Sequence, residues 1–155
     1  MKMAAQGLLP AMLAGRAVEV SAVLTDDAQV QILNRDYRGK DKPTNVLSFP
    51  QLDEMAESLP DDAAIPLGDL ALAYETVASE AKARDIDIGQ HVTHLVVHGL
   101  LHLVGFDHED DHSAEAMEQL EIQVMKRLGL PDPYQLDRNL IDKTNPANMA
   151  DNQRF

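Results

Sequence analysis

The stretch of sequence that decides the fold is HGLLHLVGFDH, residues 98–108. His98 and His102 are four positions apart, so a helix places their imidazoles on one face, one above the other. Gly105 can adopt a positive φ, which lets the backbone leave the helix. The chain can then turn back and bring His108 to the same point. This spacing predicts a helix and a turn, with three imidazoles converging on one metal ion.

The choice of these three ligands follows from helix dimensions. Histidines at positions 94, 98 and 102 would span about 12 Å of a helix axis, whereas a zinc–nitrogen bond is only about 2.0–2.1 Å long. One ion cannot bind all three, so His108 is the better third ligand. Three neutral imidazoles leave the fourth position of a tetrahedral ion open, as in catalytic zinc sites. The predicted cofactor is therefore one Zn²⁺ ion on three histidines.

The other histidines receive different roles, although all six lie between residues 91 and 112. We expect His91 and His94 in the core or beside the ligands, and His112 on the surface near a helix start. Asp107 could orient a ligand, since metal-bound imidazoles usually donate their second N–H to a carboxylate or a carbonyl. A metal-free helix packed in the core is the alternative, but converging imidazoles without an ion would be costly to bury.

The motif also matches the metzincin metalloprotease skeleton H-x-x-x-H-x-x-G-x-x-H, with one exception. In those peptidases the residue after the first histidine is Glu, the general base that activates water. Here that residue is Gly99, which has no side chain to accept a proton. The sequence therefore disfavours a peptidase that uses the usual mechanism.

Hydrophobic periodicity predicts strands and helices on both sides of the motif. Thr25-Asp26-Asp27 is a typical helix start, and Val30, Leu33 and Tyr37 then share one helical face. The acidic, proline-containing segment 52–66 predicts a loop. Strands are predicted over 18–24 (half-buried), 46–49 and 69–74, and helices over 8–15, 75–86, 89–104 and a last one capped by Ser113 with Met117, Leu120, Val124 and Leu128 at helical spacing.

The composition suits one soluble domain. The chain has 155 residues, a formal net charge of −13 and no cysteine, which excludes disulfides and cysteine-based metal sites. No apolar run approaches the length of a membrane span, so we expect a cytoplasmic protein without a membrane partner. Taken globally, the acidity argues against a nucleic-acid partner. The oligomeric state cannot be predicted.

Three sequence blocks resemble the YbeY family of bacterial endoribonucleases and rRNA maturation factors. They are HGLLHLVGFDH at residues 98–108, LNRDYRGKDKPTNVLSFP at residues 33–50 and LGDL at residues 67–70. The resemblance covers roughly residues 17–135. It divides the chain into a short N-terminal segment (1–16), a metal-dependent endoribonuclease domain (17–135) and a polar C-terminal tail (136–155).

The resemblance implies a fold and a function. The fold would be α+β, a single compact domain in which a small mixed sheet of about four strands packs with helices, one of them a zincin-like metal-binding helix. Zinc would be held by His98, His102 and His108, and the enzyme would cleave single-stranded RNA. Implied partners are rRNA, the small ribosomal subunit and assembly factors. The arginine of the Tyr-Arg-Gly segment, which matters for family activity, is Arg38 here.

The charge distribution reconciles an acidic chain with an RNA substrate. Carboxylates cluster in residues 53–62 and 107–121, whereas four cations lie between positions 35 and 42. Screening confines each charge to a range of roughly 8–10 Å, so an acidic protein can still present one cationic site. The planar fork of an arginine suits a phosphodiester. On charge alone, phosphate contacts and ordinary solvated loop charges are equally good readings of these four cations. The resemblance to the family assigns Arg38 to catalysis and leaves Arg35, Lys40 and Lys42 as phosphate contacts.

The resulting hypothesis is a zinc-dependent, single-strand-specific endoribonuclease that acts in small-subunit rRNA 3′-end maturation and late ribosome quality control. Hydrolysis by water and transesterification by the RNA 2′-hydroxyl both remain open. The alternatives are a non-enzymatic zinc-containing ribosome-assembly factor and a zinc metallopeptidase.

Overall fold

The computed structural model describes residues 15–52, 59–107, 109–135 and 137–139. Predictions for residues 8–15 fall almost wholly outside these ranges, and so do residues 53–58 of the predicted loop, His108 and most of the tail. In chain order the elements are β1 (Val18–Thr25), α1 (Asp27–Arg38), β2 (Val46–Pro50), β3 (Ile65–Ala73), α2 (Tyr74–Ala83), α3 (Ile88–Leu103) and α4 (Asp111–Arg127).

The sheet is mixed, and its strand order is β1-β3-β2. Strand β3 pairs in parallel with β1 and antiparallel with β2. The α+β class is confirmed, but the sheet in the described ranges has three strands rather than about four. Strand β3 also begins at Ile65, inside the segment predicted to be a loop, because its first residues are buried and pair with β1.

Alternating side chains of the central strand face two different helices. Leu70 and Leu72 pack with residues of α3, including Leu95. Ala71 and Ala73 pack with Val30 of α1 on the opposite face. Both faces of β3 are therefore covered, which explains why its sequence is an almost continuous apolar run rather than an alternating one.

Strand β1 is exposed over most of its length, although the alternation predicted a half-buried strand. Val18, Val23 and Leu24 are 48%, 52% and 53% exposed. Within the described sheet, β1 pairs only with β3, so it is an edge strand with less covering than β3 receives.

Helix ends follow their capping residues. The Asp26 carboxylate accepts the backbone N–H of Gln29 at the start of α1, as the sequence predicts, and Gly39 ends this helix with φ of 69°. Arg38 is therefore the last residue of α1. The prediction that Ser113 caps the last helix is wrong. Asp110 is the cap, and its carboxylate accepts the backbone N–H of Ser113.

Helix α3 lies close to the sheet at Gly99. A Cβ atom at this position would lie 2.7 Å from Leu70 Cδ2 and 3.3 Å from Ser48 Oγ. The Ser48 hydroxyl donates a hydrogen bond to the Gly99 carbonyl, with an oxygen–oxygen distance of 3.3 Å. The absence of a side chain thus lets the helix approach β2 and β3, and this approach places the histidines of α3 beside β2. Among the helices within the described ranges, none has the length and hydropathy needed to cross a bilayer.

Candidate active site

Two of the predicted ligands meet on one face of α3. The apolar sequence of this helix buries it against the sheet, and Asp87 caps its first turn. His98 and His102 are one helical turn apart, with ring centroids separated by 4.6 Å. Their Nε2 atoms are 3.1 Å apart. The i, i+4 spacing therefore brings the two imidazoles together as the sequence predicts.

The second nitrogen of each ring fixes its tautomer. His98 Nδ1 lies 2.7 Å from Glu121 Oε1, and His102 Nδ1 lies 2.9 Å from the backbone carbonyl oxygen of Phe106. A carboxylate and a carbonyl only accept hydrogen bonds, so both Nδ1 atoms carry the proton. The two Nε2 atoms then face each other at 3.1 Å. This separation is close enough for both nitrogens to bind one metal ion.

Glu121 of α4 is the buried anchor of this arrangement, with only 1% of its surface exposed. Its Oε2 accepts the Tyr134 hydroxyl at 2.5 Å, and His94 Nε2 lies 3.3 Å from its Oε1. Burial alone would raise the pKa of Glu121, but the surrounding hydrogen bonds outweigh burial and lower it to about 2. Burial and the bond to Glu121 together raise the pKa of Tyr134. Glu121 is therefore an ionised acceptor and Tyr134 a neutral donor.

The turn after α3 explains how a backbone carbonyl reaches His102. Gly105 has φ of 104°, a positive value that lets the backbone leave the helix as the sequence predicts. The Phe106 N–H then donates to the Leu101 carbonyl, and the buried Phe106 side chain holds the turn against the core. The Nδ1 positions of His98 and His102 are thus occupied by Glu121 and the turn backbone, whereas Asp107 accepts the N–H of Glu109.

The third predicted ligand, His108, lies outside the described residues. Within the described ranges, no group of three or more histidine, cysteine, aspartate or glutamate side chains could hold a metal ion. The structure therefore supplies two converging nitrogen donors and leaves the full ligand set a prediction. His91 and His94 are buried and His112 is exposed, as the sequence predicts for these three positions.

A cleft of about 420 Å³ opens in front of the two histidines. Arg38 lies at its rim, where the guanidinium donates a hydrogen bond to the Ser48 carbonyl at 3.2 Å. This bond holds Arg38 at the outer edge of β2, on the same cleft as His98 and His102. The described lining residues are Arg38, Thr44, Asn45, Val46, Ser48, Pro50, His98, His102, Gly105, Phe106 and Asp107.

The other cations of the basic segment are placed differently. Arg35 forms an exposed ion pair with Asp36, with Nε and Oδ1 3.0 Å apart. This hydrogen bond raises the pKa of Arg35. Lys40 and Lys42 are exposed on the loop after Gly39, and Asn34 donates to the Lys42 carbonyl at 2.8 Å. Of the four cations between positions 35 and 42, only Arg38 is among the described lining residues of the cleft.

Sequence reasoning missed Glu121 and Tyr134. The periodicity predicted Met117, Leu120, Val124 and Leu128 as one face of the last helix, yet the buried residues of α4 are Met117, Glu121 and Met125, and Leu128 is 56% exposed. The sequence does contain one indication that Glu121 is buried, because it lies four residues from Met117 and four from Met125 and so shares their helical face. A carboxylate in an apolar stripe must have partners, since Glu is almost never fully buried otherwise.

Comparison with known proteins supplies the family. A model described as Endoribonuclease YbeY matches residues 2–129. The Endoribonuclease YbeY of Sphingopyxis alaskensis is 58% identical over 120 residues, which are 76% of this chain and 71% of that protein. The Endoribonuclease YbeY of Rhodopseudomonas palustris is 55% identical over 116 residues, which are 75% of this chain and 67% of that protein. The solution structure of TM1509 from Thermotoga maritima is 26% identical, covers 72% of this chain and 71% of its own, and has a TM-score of 0.44. This chain belongs to the YbeY family of endoribonucleases.

Proposed function

We propose that this protein is a zinc-dependent endoribonuclease that cleaves single-stranded RNA. The observation that carries the proposal is the convergence of two Nε2 atoms, 3.1 Å apart, on a cleft whose rim holds Arg38. Paired nitrogen donors suit a metal, and an adjacent guanidinium suits a phosphodiester. The family supports a nuclease role for this pair of features.

His98, His102 and His108 would hold the ion. A zinc ion bound there would supply a Lewis acid for the scissile phosphate and would lower the pKa of a water molecule. The ionised Glu121 keeps the His98 Nδ1 proton in place, so that Nε2 stays available as a donor. The Phe106 carbonyl does the same for His102.

Arg38 would bind the non-bridging oxygens of the scissile phosphate. Its bond to the Ser48 carbonyl uses one N–H group and leaves other donors of the guanidinium for a ligand. A held guanidinium stabilises negative charge as it develops on the phosphate, without reorganising during the reaction. Arg35, Lys40 and Lys42 would add weaker, longer-range attraction for the RNA backbone.

The proposed setting is the cytoplasm, with maturation of the small-subunit rRNA 3′ end and ribosome quality control as the task. The net charge of −13 opposes general RNA binding. The enzyme would therefore act on RNA presented by the small ribosomal subunit or its assembly factors, and its activity should fall as salt rises.

Two other functions compete with this proposal. A metallopeptidase is disfavoured because position 99 is buried against Leu70 and Ser48, where a glutamate base could not fit. A non-enzymatic, zinc-containing assembly factor would keep the metal but not the chemistry. RNA cleavage by the purified protein distinguishes the nuclease from this assembly factor.

The test uses metal-loaded protein and a defined single-stranded RNA. We expect cleavage by the wild type and by Arg127→Gln, an exposed charge change at the end of α4. Arg38→Gln, with the same charge change, and His102→Ala should lose most activity. Equal cleavage by all four proteins would assign the activity to a contaminant and favour the assembly factor. A 2′,3′-cyclic phosphate on the product would identify the 2′-hydroxyl as nucleophile, and a 5′-phosphate would identify water.

A further inference from the structure

A second groove begins where the active-site cleft ends. It has a volume of about 640 Å³ and lies on the α1 side of the sheet. Arg38, Ser48 and Pro50 line both this groove and the cleft. The remaining lining includes Tyr37 and Phe49, and we call this surface the Tyr37 groove. A chain bound to Arg38 could therefore pass round the edge of β2 from one to the other.

Tyr37 is an unusual feature of this surface. Its position in the α1 periodicity predicts a buried side chain, yet 71% of it is exposed, the highest value among the large hydrophobic residues of the described ranges. Phe49 lies beside it, with centroids 5.4 Å apart and ring planes at 70°. This edge-to-face contact holds the Tyr37 ring in place while leaving it open to solvent. A fixed, exposed aromatic ring is a surface on which a nucleobase can stack.

The charges around the two rings indicate which part of a nucleotide lies where. Arg38 lies at the outer edge of β2, and Asp69 on β3 is the register partner of Phe49. Gln51 donates to Asp69 Oδ2 at 3.1 Å. A carboxylate repels phosphate but accepts hydrogen bonds from the amino group of a base. The phosphate therefore belongs at Arg38 and the base between Tyr37 and Asp69.

We propose that the Tyr37 groove is a subsite for the unpaired base next to the phosphate bound by Arg38, and that the base stacks on Tyr37. This inference rests on the proposed RNA substrate. It also supplies a physical reason for single-strand specificity, because a base within a duplex has its faces covered by its neighbours and cannot reach the ring.

The direct test is fluorescence, since the chain contains no tryptophan. Tyr37→Trp introduces one reporter in the groove, and Tyr74→Trp introduces a control at the start of α2, where Tyr74 is 52% exposed. A short single-stranded oligoadenylate should quench Tyr37→Trp and leave Tyr74→Trp unchanged. An abasic oligomer of the same length should quench neither. Equal quenching of both variants, or none at Tyr37→Trp, would overturn the subsite.

A second measurement separates this inference from the proposed function. Tyr37→Ala should bind the oligonucleotide about tenfold more weakly, within the range for loss of one stacked base, and Tyr37→Phe should bind like wild type. In cleavage assays the loss should appear mainly in KM. If wild type cleaves RNA and Tyr37→Ala matches it in binding and KM, the subsite is wrong and the nuclease stands. If oligoadenylate quenches Tyr37→Trp but wild type cleaves nothing, the subsite stands and the nuclease fails.

Discussion

Replacing Glu121 with glutamine should weaken zinc binding without removing a ligand. The carboxylate accepts a 2.7 Å hydrogen bond from His98 Nδ1 and a 2.5 Å bond from the Tyr134 hydroxyl. Glutamine has nearly the same shape, so its carbonyl oxygen can still accept from His98, and its amide can face Tyr134. Glu121→Gln removes the negative charge behind the imidazole. That charge makes His98 a stronger ligand for a cation, so its loss should weaken metal binding.

The size of the effect follows from the bonds that change. Hydrogen bonds to a charged group contribute about 1.5–3 kcal/mol, and neutral ones about 0.5–1.5 kcal/mol. The bond is present with and without zinc, so the affinity changes only by the part of this difference that arises when the ring binds the cation, at most about 1–1.5 kcal/mol, and each 1.4 kcal/mol is tenfold in affinity. We expect zinc to bind up to about tenfold more weakly, at the lower end of the 10- to 100-fold effects typical of residues that orient metal ligands.

The assay is competition for zinc between the protein and a chromogenic chelator. Glu118→Gln is the matched control, because it makes the same chemical change on the same helix at an exposed position. Thermal unfolding of the metal-free proteins checks that each variant is folded. If Glu121→Gln and Glu118→Gln both retain wild-type zinc affinity, Glu121 does not tune His98 and the reasoning is refuted.

Three further predictions concern stability and catalysis. Gly99→Ala should lower the free energy of unfolding by about 1–3 kcal/mol, because the new Cβ would lie 2.7 Å from Leu70 Cδ2. If urea unfolding shows no loss of stability in this variant, α3 does not lie so close to the sheet. Burial lowers the pKa of His91, so the unfolded chain takes up a proton that the folded one does not, and the free energy of unfolding should fall as pH drops below about 6.5. Urea titrations should show a flatter pH dependence for His91→Gln, and an unchanged slope would contradict this. Arg38→Lys keeps the charge but loses the planar fork, so kcat should fall about 10- to 100-fold, and wild-type turnover would show that a point charge suffices.

Local sequence signals predicted the centre of the site well. The helix expected over 89–104 spans Ile88–Leu103, and its i, i+4 histidines converge. The turn at Gly105 has the predicted positive φ. These features depend on helix geometry and on residues close together in the chain, so the sequence alone is enough to predict them.

Features that depend on distant residues were missed. Glu121 lies in a run of seven carboxylates over residues 107–121 that suggests a solvated face. Its burial depends on His98 in α3 and Tyr134 after α4. Neither partner belongs to α4, so the hydrophobic periodicity of α4 could not indicate that Glu121 is buried. Tyr37 is the opposite case. It falls on the predicted inner face of α1, yet at the last turn of the helix it contacts the ring of Phe49 and remains exposed.

Metal-dependent RNA cleavage by the reconstituted protein is the measurement that tests the central claim most directly. Protein stripped of metal and then titrated with Zn²⁺ should bind about one equivalent and gain cleavage of single-stranded RNA in proportion. His108→Ala should lose both zinc and cleavage. Full RNA cleavage by metal-free protein, or zinc binding that persists in His108→Ala, would contradict the proposed metal-dependent site.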